Sequence, residues 1–132
     1  VSEREGTKVT PEGLVLDAVL DYLAAVHVTA WRMNTGAMRI DGKDGKKDRF
    51  IQFGIEGFSD ILAIPIVRGK LHGTIPCSWC APWFIEVKSA TGRQSAEQKS
   101  FERQVKDAGA EYVIVRSVEE MAAVLKKNGV IS

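Results

Sequence analysis

The segment Trp83-Phe84-Ile85-Glu86-Val87-Lys88 reads as a β-strand entering a core, because Trp, Phe, Ile and Val fit a pleated, buried surface. Side chains alternate between faces, so Ile85 and Val87 share one face while Phe84, Glu86 and Lys88 share the other. An acid and a base therefore sit on a strand whose opposite face is hydrophobic. One reading is a solvated face carrying a surface ion pair. Three features point to chemistry instead. Phe84 keeps the charged face from being simply polar. A second apolar strand begins at Asp60, directly after the Gly57-Phe58-Ser59 bend. The strand at about 83–89 leaves through the flexible "SATG" into a helix bearing Gln98, Lys99 and Arg103.

The rest of the chain supplies the setting. Thr10-Pro11-Glu12 is a helix start: an N-cap, a proline in the first turn, and an acid near the positive end of the dipole. Leu16, Val19, Leu20 and Leu23 carry helical spacing to about Val26. "VHVTAWRM" and "AMRI" read as strands around the turn signal Asn34-Thr35-Gly36, and "DGKDGKKDR" as an exposed loop or hairpin tip. "FIQFGIEGFSDILAIPIV" has strand character at both ends, and "RGKLHGTIPCSWCAP" is loop-rich. Ser95 and Gln98 form a capping box opening a helix that Gly109 stops. "EYVIVR" is a buried strand, and Ser117 and Glu120 open a last helix that Gly129 closes. The order α-β-β-β-β-β-α-β-α predicts an α/β fold with a central mixed β-sheet flanked by helices.

The chain has 132 residues, 45% of them hydrophobic and 27% charged, which suits a single domain at 10–132 behind a tail at 1–9. No apolar run approaches the ~20 residues that span a bilayer, and the N-terminus lacks the apolar core of a secretory signal. The expected compartment is the cytoplasm. A net charge of +1 means that nucleic acid would have to meet a local basic patch.

Two carboxylates and an ammonium on neighbouring strands have a physical use. Mg²⁺ (or Mn²⁺) takes hard oxygen ligands, typically one or two carboxylates plus water and substrate phosphate. If the strands at Asp60 and Trp83 are adjacent, Asp60 and Glu86 converge on one ion, and the Val87 carbonyl offers a third ligand. Lys88 would then position or deprotonate the attacking water, or neutralise charge developing on phosphorus.

An Asp opening one strand and E-x-K on the next resembles the PD-(D/E)XK nuclease superfamily. "TPEGLVLDAVLDYL", "WRMNTGAMRI", "RFIQFGIEGFSDILAI" and "WFIEVKSATGRQSAEQKSFERQVKDAGAEYVIVRSVEEM" resemble, in that order, the VRR-NUC nuclease domain, from Thr10 to about Leu125. The resemblance implies a restriction-endonuclease-like core with Asp60 and Glu86 as metal ligands and Lys88 as the catalytic lysine. It matches Glu12 to an acid that the first helix contributes to the metal site; otherwise Glu12 is a helix-dipole acid. It matches Gln98 to a glutamine facing the site, whereas a capping side chain would face its own backbone. Asn34, Thr35 and Gly36 match a loop of shape or substrate contact. One departure is the long Asp60–Glu86 connection: if the two strands are antiparallel neighbours in register, its midpoint falls near Gly73 and predicts a loop insertion at about 68–79.

That insertion carries Cys77 and Cys80. No helix start follows Cys77 to lower a thiol pKa, and zinc needs about four ligands where His72 is the one further candidate. Two small apolar residues in a long hairpin loop is the plain reading; a zinc bridge between subunits is the other. His27 is expected at a strand or helix end, without chemistry.

Arg39, Lys43, Lys46, Lys47 and Arg49 cluster in one polar segment, diluted by Asp41, Asp44 and Asp48, and Arg93, Lys99, Arg103 and Lys106 lie on or before the helix after E-x-K. Such runs are usually solvated faces. Beside a phosphodiester-cleaving site, Arg39, Lys46, Lys47, Arg93, Lys99 and Arg103 are candidate DNA backbone contacts, with Asn34 beside them. No base-reading motif is present. The resemblance implies a homodimer acting on branched DNA as a Holliday-junction resolvase, with water attacking in line to leave a 5′-phosphate and a 3′-hydroxyl. The aromatic segment around Trp79 and Trp83 is a candidate dimer interface. The alternatives are a flap or general DNA endonuclease, and a non-catalytic DNA-binding module on the same fold.

Overall fold

A computed structural model describes residues 10–33, 36–53 and 57–132, and the side chains of these except 36–40 and 50–53. The expected tail at 1–9, and Asn34 and Thr35, lie outside the described residues. Among the described residues the fold is mixed α/β with three helices. The order is α1 (Pro11–Ala25), β1 (Thr29–Arg32), β2 (Gly36–Ile40), β3 (Arg49–Phe53), β4 (Ile61–Ile64), β5 (Ile66–Leu71), β6 (Ile75–Cys80), β7 (Trp83–Val87), α2 (Ala96–Asp107), β8 (Glu111–Val115) and α3 (Val118–Lys127).

Four strands form the central sheet in the order β1-β4-β7-β8. The β1–β4 and β4–β7 pairs are antiparallel and β7–β8 is parallel, so the sheet is mixed. The parallel pair follows from α2, which supplies the crossover that such a connection needs. On one face, Ile61, Ala63, Trp83, Ile85, Val87 and Val115 pack against Leu16, Val19 and Leu23 of α1 and Met121 and Leu125 of α3. On the other, Phe58 and Phe84 pack with Phe101 and Val105 of α2 and with Tyr112. Ring centroids 4.6 Å apart for Phe58–Phe101 and 5.5 Å for Phe84–Phe101 make this an aromatic cushion that fixes α2 on the sheet.

Each helix begins where a side chain caps it. Thr10 Oγ1 accepts the Gly13 N–H at 3.0 Å. Ser95 and Gln98 make the reciprocal capping box. Ser117 Oγ accepts the Glu120 N–H, but Glu120 reaches one residue further back, to the Arg116 N–H at 2.6 Å, so the expected box is displaced by a residue. All three helices end in a Schellman motif: Val28, Ala110 and Val130 donate to Leu23, Val105 and Leu125. Gly109 and Gly129 take the left-handed position in two of them, as expected, and His27 (φ 61°) takes it in α1.

The largest difference from the sequence reading is the segment at 68–79, which is not a loop. Residues 66–71 and 75–80 form a two-stranded antiparallel ribbon, so among the described residues seven strands rather than five separate α1 from α2. The pairs Ile61–Ile85 and Ile66–Cys80 share one register, and Pro65 interrupts the ladder between them. The stretch "ILAIPIV" is thus two strands. The turn lies at the expected midpoint: Thr74 N–H donates to Leu71, with His72 and Gly73 at positive φ, as primed hairpin turns require. A second ribbon joins β2 to β3, with the charged segment 41–48 at its tip.

Candidate metal centre

The sheet register builds the site. Ile61 faces Ile85 and Leu62 faces Phe84, and one further step sets Asp60 opposite Glu86. Ser59 is fully buried and its hydroxyl donates to the Ile61 carbonyl, which locks the bend that delivers Asp60. Gly57 (φ 83°) brings this bend against the first turn of α2, where a Cβ would meet the Glu97 carbonyl oxygen at 2.4 Å. The bend and the helix are thereby fitted backbone to backbone, with Gly57 against the Glu97–Gln98 peptide.

Carboxylate oxygens of Glu12, Asp60 and Glu86 lie within 4.8 Å of one another. Asp60 Oδ2 accepts the Val87 N–H at 2.8 Å, which leaves its other oxygen for the cluster. In a strand, the N–H and C=O of one residue point to the same side, so the Val87 carbonyl is directed toward Asp60 as well. Glu12 comes from the first turn of α1, so its helix-end position and its place in the cluster are compatible.

Glu86 and Lys88 are buried, with 1% and 6% of their surface exposed, so the solvated surface pair is excluded. Lys88 Nζ lies 3.6 Å from Glu86 Oε1 and donates to Gln98 Oε1 at 2.8 Å. Gln98 Nε2 donates to Glu86 Oε1 at 3.0 Å, while Gln98 Oε1 also accepts the Ser95 N–H at 2.8 Å. The two roles weighed for Gln98 are therefore filled together: it caps α2 and bridges the acid to the base. Glu86 Oε2 is buried without a hydrogen-bond partner among the described residues. Burial, and then the adjacent Asp60 carboxylate, push Glu86 from an ordinary 4.5 up to about 8, against the pull of Lys88. A three-carboxylate cluster in which the buried member keeps an oxygen without a partner among the described residues is a donor set that a hard divalent cation fits.

The remaining expected residues divide. Arg93, Lys99 and Arg103 are exposed, Lys99 and Arg103 one turn apart on α2, the helix that carries Gln98. Lys46 and Lys47 are exposed at the tip of the β2–β3 ribbon. The side chain of Arg39 lies outside the described residues. Cys77 pairs with Gly69 and Cys80 with Ile66. Three residues apart on one strand, they point to opposite faces and cannot bind one ion or join each other. Among the described residues, no cysteine or histidine belongs to a metal-holding group. Trp83 is 2% exposed and belongs to the core, so it forms no interface. Sequence reasoning placed Gly57 in the bend before Asp60 but not its fit against α2, and it missed Arg116; both depend on a proximity that only the fold reveals.

No helix among the described residues is long and apolar enough to cross a membrane. Comparison with protein-family models, with curated proteins and with solved structures finds no match for the chain.

Proposed function

We propose that this chain is a Mg²⁺- or Mn²⁺-dependent DNA endonuclease with a PD-(D/E)XK core, acting in the cytoplasm and selecting branched DNA as a Holliday-junction resolvase does. The observation that carries the reading is Glu86: its carboxylate is buried beside a buried lysine, lies within 4.8 Å of oxygens from two further carboxylates, and keeps one oxygen, Oε2, without a hydrogen-bond partner among the described residues. Burial of this kind costs stability, and groups that carry such a cost cluster at functional sites.

Glu12, Asp60 and Glu86, with the Val87 carbonyl, would hold the ion. When bound, a divalent ion supplies positive charge to a phosphate and makes water more acidic. The chain's own groups do the rest. Lys88 holds an ammonium 3.6 Å from Glu86 Oε1, where charge developing on a phosphoryl oxygen would be neutralised. Gln98 fixes both groups through its amide and is itself fixed by Ser95. Arg93, Lys99 and Arg103 contribute the electrostatic attraction for a DNA backbone.

A homodimer would offer two centres to the two-fold symmetry of a junction. The β5–β6 ribbon supports that part of the reading. Leu71, Ile75 and Trp79 share one of its faces and are each about half exposed, whereas Arg68 and Lys70 occupy the other.

The test is cleavage of labelled four-way junctions, flaps and plain duplex in Mg²⁺, Mn²⁺ or EDTA, with wild type, Asp60→Ala and Lys88→Ala. Metal-dependent cutting lost in both variants supports the proposal, and substrate preference separates a resolvase from a flap or general endonuclease. Binding without cutting would make the chain a DNA-binding module.

A further inference from the structure

We infer that Arg116 is a positioning residue for Lys88, acting through the loop at 89–92. The kinetic part of this inference rests on the nuclease reading; the structural part does not.

The parallel register of β7 and β8 pairs Val87 with Val115, and the Lys88 N–H continues the ladder to the Val115 carbonyl at 3.0 Å. Arg116 is thus the sheet neighbour of Lys88, on the face shared with Phe84 and Glu86. Two cations side by side repel unless one is directed elsewhere. Arg116 is directed elsewhere: its Nη1 donates to the Ser89 carbonyl at 2.5 Å and to the Gly92 carbonyl at 2.8 Å. Those carbonyls belong to the turn that leaves Lys88, closed by the Gly92 N–H on Ser89, at 3.2 Å to its carbonyl and 3.1 Å to its hydroxyl. The turn lies along the lysine stem, since a Cβ on Gly92 would stand 3.5 Å from Lys88 Cδ.

Nothing else links this turn to the sheet through a side chain among the hydrogen bonds of the described residues. Arg116 therefore holds the wall against which Lys88 extends to Gln98. Charge-assisted bonds to two carbonyls are the strong kind, and they are made by one nitrogen, a geometry that a lysine ammonium can copy. Methionine has a comparable stem and no donor.

The test compares wild type, Arg116→Met and Arg116→Lys, with Arg116→Gln as a second neutral variant should Arg116→Met not fold. Lysine acetylation in metal-free protein, read by mass spectrometry, reports whether Lys88 stays in place. Lys88 should react slowly in wild type, at least about tenfold faster in the neutral variant, and at the wild-type rate in Arg116→Lys, with Lys46 and Lys47 unchanged throughout. In the cleavage assay the neutral variant should lose about 10²-fold in kcat, keep KM and Mn²⁺ affinity, and be rescued by Arg116→Lys. Unchanged Lys88 reactivity in a folded neutral variant overturns the inference whatever kcat does. Faster labelling with kcat unchanged overturns the positioning role. If wild type cuts nothing, the nuclease reading falls and the labelling alone decides whether Arg116 holds Lys88.

Discussion

Replacing Glu86 with glutamine should make the metal-free protein more stable in alkali. Glu86 is 1% exposed and raised from 4.5 to about 8, so between those values the folded state holds a proton that the unfolded state has released. A native state that binds more protons loses stability as pH rises, at about 1.4 kcal/mol per pH unit for one group. At pH 8 the wild type therefore carries a penalty of about 4 kcal/mol, and at pH 5 of about 1 kcal/mol. Glutamine cannot ionise, and its amide oxygen can still accept from Gln98 Nε2. Chemical denaturation in EDTA should show Glu86→Gln more stable than wild type by about 4 kcal/mol at pH 8, narrowing to about 1 kcal/mol at pH 5. In Mn²⁺ the order should tighten, because wild type gains about 2.7 kcal/mol at a hundredfold excess over Kd and the variant gains less. Equal stability of the two proteins at pH 8 in EDTA would refute the argument, as would a wild type whose stability rises between pH 5 and 8.

Gly57→Ala should destabilise by about 2 kcal/mol or more, because φ is 83° and the new Cβ would strike the Glu97 carbonyl; thermal denaturation measures it. His27→Gly should stabilise by about 0.5–1 kcal/mol, since His27 holds a left-handed φ at the end of α1, where glycine is free of strain; urea midpoints decide it. Replacing Lys99 and Arg103 together by glutamine should weaken DNA binding on every substrate and flatten the dependence of log K on log salt by about 2, as two lost phosphate contacts require. A slope equal to wild type would remove this face of α2 from the interface.

The helices were legible because their signals are local. Thr10, Ser95 and Ser117 cap them, and Gly109 and Gly129 end them where punctuation of that kind predicts. The convergence of Asp60 and Glu86 was legible only on the condition that their strands are antiparallel neighbours; strand character and alternation are local, whereas the pairing itself is a long-range contact. The β5–β6 ribbon was not, because Gly69, Gly73 and Pro76 imitate a loop and both faces lie largely open, so no burial pattern marks a strand. Gly69 has its own reason in the fold: a Cβ there would stand 2.8 Å from the Trp79 ring, which crosses it. Burial of Glu86 and Lys88 was beyond the sequence, since whether a charged face is covered depends on where α2 lands. Arg116 carried no signal at all; its pairing with Lys88 exists only through the parallel register of β7 and β8.

The measurement that bears most directly on the central claim is an anomalous difference map from crystals grown in Mn²⁺ at pH 8. A peak is expected within about 2.2 Å of oxygens from Glu12, Asp60 and Glu86, lost in Asp60→Asn. An empty cluster in well-ordered crystals at millimolar Mn²⁺, or a peak bound elsewhere, would contradict that claim.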